Sequence, residues 1–398
     1  MVAHEDTGAP WQSGPFQLIL ALSLTGVMGV SMISPVLPEL RTAFGVTDSQ
    51  VGLVITFYTL PGALLAPFAG LAADRWGRRR IIIPLLFIFG GAGAAIAVAN
   101  SLAVVLGLRF VQGIGASALV TLAVTLIGDY YEGNRRAAAM GANGSVIASG
   151  AALYPFIGGL LASIRWNVPF IFFGVAILVG LVAVFLLEEP SSDRSASLRR
   201  YLTQIHSTIL SPHILAINAT VLLVFLFFYG AILTALPLLL SDAYGLGSDR
   251  IGVLLSLVAV ASGSISLMYG RISLRWDPSQ LVSIGFLCYG SGMIGVWVAN
   301  SVHGIGIALL VFGAGFGFVM PSLDLAIARI VSEELRAGTM GVRTSMLRLG
   351  QTAGPIVFTV TAETAFRTTE SGYSTLILTA GILSASIGGI ASLRIRWQ

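Results

Sequence analysis

The chain repeats itself at an offset of 200 residues, and this constrains its fold more than any other feature. Val98-Ala99-Asn100-Ser101 returns as Val298-Ala299-Asn300-Ser301, and Gly70, Arg75 and Trp76 return as Gly270, Arg275 and Trp276. Arg136-Ala137 and Met140-Gly141 return as Arg336-Ala337 and Met340-Gly341. Gly150 and Pro155 return as Gly350 and Pro355, and Gly52, Gly113 and Gly115 return as Gly252, Gly313 and Gly315. A register that holds from Gly52 to Pro155 implies two related halves, one structural unit written twice.

Composition decides what kind of unit. The chain is 56% hydrophobic and 10% charged, with a mean hydropathy of +0.89, whereas soluble domains are roughly 25% charged. A soluble globular fold is excluded. Crossing a bilayer takes roughly 20 apolar residues, and about twelve such runs can be placed, near 16–38, 49–72, 81–99, 102–127, 137–163, 165–187, 213–240, 249–272, 279–298, 302–327, 338–362 and 373–393. They must be helices, because lipid offers no partner for free backbone groups. Strands of a barrel would alternate polar with apolar residues, and Val221-Leu222-Leu223-Val224-Phe225-Leu226 does not. We expect an all-α membrane protein, with twelve transmembrane helices in two pseudo-symmetric six-helix bundles. The expected division is a tail over 1–15, bundles over 16–187 and 213–398, and a linker over 188–212 lying at the headgroups.

All 22 basic residues are arginine. With the N-terminus inside, fifteen arginines fall in cytoplasmic connections and only Arg41, Arg165, Arg250 and Arg367 face outward, the bias expected of a plasma-membrane protein with both termini cytoplasmic. Residues 1–15 lack a basic stretch followed by an apolar core, so no cleavable signal is expected. Cys288 is the single cysteine and stands in an apolar run, so no internal disulfide is possible and a small buried role is expected.

Charges inside spans carry most of the functional information. Arg109 lies within an apolar run, and a charge at the bilayer centre costs about 2.5–3.5 kcal/mol on insertion scales. It either faces a cavity or partner, or reaches back to the outer surface. Asp324 and Arg343 fall at about equal depth around the Glu333-Glu334 turn, with Arg348 further in. They form an ion pair, or reach the headgroups separately. Met28, Met32, Gln112, Tyr154, Phe228, Tyr229 and Met320 are candidates to line a soft, aromatic cavity. Gly313-Ala314-Gly315-Phe316-Gly317 and Gly90-Gly91-Ala92-Gly93 follow no strand and supply no P-loop lysine, so they read as packing glycines. No zinc-protease motif, cysteine cluster or nucleophile constellation occurs. We expect no enzyme, cofactor, metal or nucleic-acid partner, and a monomer in the bilayer.

Four segments resemble signature motifs of the major facilitator superfamily, and more narrowly its twelve-span drug:proton antiporter branch. Gly70-Leu71-Ala72-Ala73-Asp74-Arg75-Trp76-Gly77-Arg78-Arg79-Arg80 resembles G-x-L-x-D-R-x-G-R-R/K, with Ala72 in place of leucine. Met28-Gly29 followed by Pro35-Val36-Leu37-Pro38 resembles the branch's span 1 motif, and Arg109-Phe110-Val111-Gln112-Gly113-Ile114-Gly115 resembles R-x-x-Q-G-x-G. Gly141, Gly150, Pro155, Gly158 and Gly159 resemble the span 5 antiporter motif, with Tyr154 in place of the glycine before proline. Gly350, Gly354 and Pro355 repeat that spacing in span 11.

The resemblance implies a conformational latch of Gly70, Asp74, Arg75, Gly77, Arg78 and Asp129. In it Asp74 faces the start of span 11, and Arg78 meets Asp129. It implies proton handling by Arg109. Asp324, if it faces the cavity, is the best carboxylate to carry a proton. It also implies hinge or interface helices at Gly141, Gly150, Pro155, Gly350, Gly354 and Pro355. The expected function is secondary transport by alternating access, with protons driving export of small hydrophobic or amphipathic compounds. A metabolite or sugar transporter of the same fold, an importer, and a lipid flippase are the alternatives.

Overall fold

The computed structural model describes residues 13–189, 212–330 and 333–394, so most of the expected 1–15 tail and 188–212 linker lies outside the described residues. The first half contains α1 (Gly14–Ser31), α2 (Leu37–Phe44), α3 (Asp48–Trp76), α4 (Arg78–Ala95), α5 (Leu102–Ala116), α6 (Leu119–Tyr130), α7 (Gly133–Ile164), α8 (Val168–Phe172) and α9 (Val175–Leu186). The second contains α10 (Pro212–Phe227), α11 (Leu236–Tyr244), α12 (Ser248–Ile272), α13 (Pro278–Val298), α14 (Val302–Ile330), α15 (Glu333–Ala365) and α16 (Thr369–Arg394). Among the described residues no strand occurs, and ten helical stretches are long and apolar enough to cross a membrane.

The two long helices outside that set, α3 and α15, have 29 and 33 residues. At about 1.5 Å per residue each exceeds the roughly 30 Å of hydrocarbon. They pack against each other across the interface between the halves. The other broad interface is α7 against α12. Elsewhere the helices of each half pack mainly among themselves, giving two bundles.

The sequence repeat has a packing cause. A Cβ on Gly113 would overlap the Tyr58 carbonyl, and one on Gly313 would overlap the Val258 carbonyl, the same contact moved by 200 residues. Helices meeting backbone to backbone tolerate no side chain there. The relation also runs between bundles. Gly52 lies against Thr359, and Gly252 lies against Gly159, so each contact is the other's image under the offset.

Both halves interrupt their first span at equivalent depth. In the first, Pro35 and Pro38 enforce a 3₁₀ turn over Ser34–Val36 between α1 and α2. In the second, Phe228–Ala235 forms a π-helical segment between α10 and α11, and such segments frequently mark functional sites. The two irregular turns meet, with Ser34 Oγ donating to the Leu233 carbonyl at 2.6 Å.

Candidate functional site

The bundles are joined at one end. Arg41, on α2, makes a two-pronged ion pair with Asp242 of α11, at 2.5 and 2.9 Å, and a 2.7 Å bond to Asp48 at the start of α3. Asp48 is 4% exposed and accepts a second bond from the Tyr373 hydroxyl of α16 at 3.0 Å. Ser248 Oγ donates to Glu39 at 3.2 Å, and the Ser49 amide donates to Glu363 at 3.1 Å. Two carboxylates converging on one guanidinium, with donors from both halves, hold this end shut. The innermost of these bonds runs from Thr56 Oγ1 to the Thr352 carbonyl, 3.2 Å. Beyond it, towards the other end, Leu64, Leu65 and Phe68 of α3, and Leu267 and Met268 of α12, are exposed. The bonds between bundles thus gather at the Arg41 end and give way towards the Arg78 end, the arrangement of a cleft sealed at one end.

Inside the first bundle Arg109 is fully buried. Its guanidinium donates to the Val54 carbonyl at 3.2 Å, the Gly29 carbonyl at 2.9 Å and Gln112 Oε1 at 2.8 Å, and lies 4.6 Å over the Tyr58 ring. It does not reach back to the outer surface. Three acceptors and a ring face offset its desolvation without a carboxylate. The glycine of Met28-Gly29 serves this arrangement, because a Cβ there would overlap the Tyr58 hydroxyl. Gln112 belongs to the same cluster. It is fully buried, and its amide nitrogen points at Gly93 and Phe173 inside the bundle rather than at the cleft. Met28 and Met32 are also buried in that core, and Tyr154 is 9% exposed.

The second bundle presents its charges differently. Arg343 lies 2.7 Å from Asp324, and its Nη2 is 4.0 Å from the sulfur of Met320. Asp324 Oδ1 is not aligned for a hydrogen bond, so the contact is one of charge. One turn further along α15, Arg348 leans onto Gly62 of α3 and donates to Gln351 Oε1 at 3.2 Å. Gln351 in turn donates to the Tyr229 hydroxyl at 2.9 Å, in the π-helical segment. Phe228 stacks on Phe312 and tilts against Phe316. The helices expected as hinges are unbroken: α7 runs through Pro155 and α15 through Pro355. Gly350 and Gly354 bring α15 against the α10 backbone, Gly150 faces Leu24 and Tyr154, and Gly141 is open.

At the Arg78 end, Asp74, Arg78 and Asp129 come together. Arg78 pairs with Asp74 one turn before it, and its Nε donates to Asp129 at 3.1 Å. Gly77 links α3 to α4 at φ +103°, where a side chain is strained. A Cβ there would also meet the Glu189 carboxylate at 2.7 Å. Glu189 caps α4, accepting from the Arg78 amide at 2.5 Å and the Arg79 amide at 3.1 Å. Arg75 is exposed, and Gly70 lies within α3. All the partners described here belong to the first bundle. The side chains at the start of α15, which Asp74 is expected to face, lie outside the described residues.

The profile of the Major Facilitator Superfamily matches residues 19–355, and a second match covers 217–396. The chain belongs to the Major Facilitator Superfamily. It is 30% identical over 362 residues to the bacillibactin exporter of Bacillus subtilis (strain 168), covering 85% of this chain and 88% of that protein. It is 24% identical over 338 residues to the quinolone resistance protein NorA of Staphylococcus aureus (strain Mu50 / ATCC 700699), covering 83% and 85%. The crystal structure of a bacterial homologue of the human lysosomal transporter Spinster, in an inward-facing and occupied conformation, superposes with a TM-score of 0.81 at 18% identity. That match covers 98% of this chain and 99% of that one. As a superfamily member the chain is a membrane transporter of small molecules and not an enzyme.

Sequence reading missed the Arg41 seal, the π-helical segment and the Glu189 cap. Only the last had a local signal, in Glu188-Glu189 directly after an apolar span.

Proposed function

We propose that this protein is an exporter of the drug:proton antiporter branch, working by alternating access, with α3 and α15 completing twelve membrane crossings. The arginine-rich Arg78 end and both termini lie in the cytoplasm. The present state is then open to the cytoplasm, with the Arg41–Asp242 seal closing the outer face. The observation that carries this reading is the gathering of bonds between bundles at one end of a cleft. Two duplicated bundles sealed at one end can tilt to open it and close the other. In the outward-open state, Asp74 would leave Arg78 for the start of α15, and Asp129 would keep Arg78 in place. Asp324 and Arg109 take part in proton handling, and Tyr229, Phe228 and Met320 line the cleft. Exporter relatives covering more than four-fifths of the chain support the direction.

The test is flux in proteoliposomes under an imposed pH gradient, with a fluorescent quinolone and bacillibactin as probes. Transport should reverse direction when the gradient is inverted, since a ligand shifts the two states only through its differential affinity for them. Flux indifferent to the gradient overturns proton coupling.

A further inference from the structure

The two arginines nearest the middle of the molecule differ in one respect that bears on the substrate. Arg109 has its donors answered within its own bundle. Arg348 does not. Among the described residues no carboxylate stands within ion-pair distance of it, its Nε is buried without a hydrogen-bond partner, and its guanidinium donates to the neutral amide of Gln351. It sits at the apex of the cleft, on α15 and against Gly62 of the opposite bundle, one helical turn inward of the Thr56–Thr352 bond. The neighbouring cation Arg343 has Asp324 beside it and so adds no net charge. The apex is therefore positive. A guanidinium with unanswered donors in a low-dielectric cleft is matched by an oxyanion, which can take two parallel hydrogen bonds from its fork.

We propose that Arg348 is the recognition group for a small organic anion, an aromatic carboxylate, bound with its charged end on Arg348 and Gln351. Its ring would lie towards Tyr229 and the aromatic cluster of Phe228 and Phe316. This inference rests on the transport reading for its direction and sharpens it from apolar compounds in general to anions. It also accounts for a cleft whose nearest carboxylate already faces an arginine. Outward movement of a monoanion and inward movement of a proton transfer charge in the same electrical sense. An interior-negative membrane potential then drives both.

The test uses the full chain and three probes of one shape: 2-naphthoate, the neutral 2-naphthamide and the cationic 2-naphthamidine. Binding is measured on protein in a neutral detergent, with and without added phosphatidylglycerol, and uptake is measured in proteoliposomes. Naphthoate should bind at least tenfold more tightly than naphthamide. Arg348→Gln should abolish that preference by weakening naphthoate binding at least tenfold while weakening naphthamide binding only slightly, and Arg348→Lys should keep part of it. Equal binding of the three probes, no measurable naphthoate binding, or a preference that survives Arg348→Gln would overturn the proposal. Loss of naphthoate binding on adding phosphatidylglycerol would overturn it too, by assigning the site to a lipid headgroup. Naphthoate binding without uptake would count against the transport reading and leave the anion site standing. Uptake of the neutral probe with no anion preference would do the reverse.

Discussion

The two ends of the cleft use similar chemistry to opposite effect. At the Arg41 end one guanidinium gathers two carboxylates, Asp48 from its own bundle and Asp242 from the other, so the ion pair is the joint between the bundles. At the Arg78 end one guanidinium again gathers two carboxylates, Asp74 and Asp129, but both come from its own bundle. The first cluster is broken if the bundles tilt apart. The second survives the tilt and can release Asp74 without leaving Arg78 unpaired. An arginine between two acids is thus a bond between bodies at one end and a stored contact at the other.

The comparison breaks first at the backbone contact beneath the seal. Gly252→Val sets a branched side chain against the Pro155 carbonyl of the opposite bundle. Overpacking of this kind costs about 1–3 kcal/mol, and because the clash lies between bundles it should act on closure rather than on folding of either one. Accessibility of a Thr56→Cys reporter, in a Cys288→Ser background, to an impermeant maleimide from the Arg41 end should rise by up to roughly two orders of magnitude. Unchanged labelling would mean that this contact does not hold the outer face shut.

Arg41→Ala comes next. It leaves Asp48, which is 4% exposed, with the Tyr373 hydroxyl as its remaining described partner. An unanswered buried carboxylate costs about 1–3 kcal/mol or more, so the same reporter should label roughly tenfold faster, and Arg41→Lys should restore part of the protection.

Which of these features could be read from the sequence follows from their range. The repeated glycines were legible because Gly113 and Gly313 meet a neighbouring backbone that excludes every other residue. The nearness of Asp324 and Arg343 was legible because both lie a few turns from one connection. Arg41 and Asp242 are 201 positions apart, and no local pattern ties a loop-side arginine to an acid in the other half. Periodicity likewise marks the Met28 and Met32 face as apolar without saying that helices of the same bundle, not the cleft, cover it. Gln112 reads equally well as a cavity donor or as the acceptor for Arg109. Only the packing against Gly93 and Phe173 decides between them.

The Arg78 end gives smaller effects, and the first has the opposite sign. Asp74→Asn removes a pair whose carboxylate side chain is 38% exposed, so solvent screening limits it to about 0.3–1 kcal/mol. If Asp74 latches the cytoplasmic end in the outward-open state, its loss disfavours that state. Transport should slow a few-fold while labelling of the Thr56→Cys reporter from the Arg41 end falls. A rise in labelling would refute the latch.

Glu189→Gln should do least. The Glu189 carboxylate receives the first two amides of α4, where the helix dipole favours negative charge. Glutamine keeps one acceptor oxygen, but it loses the charge and turns an N–H₂ towards donors. The expected loss is about 0.5–1 kcal/mol, read as a fall of roughly 1–2 °C in melting temperature with transport and reporter labelling unchanged. Both partners belong to the first half of the chain, so tilting leaves the cap intact and transport has no reason to sense it. A transport defect in Glu189→Gln as large as that of Asp74→Asn would mean that the cap is also remade when the bundles move. The Arg78 end would then be a joint of the same kind as the Arg41 end.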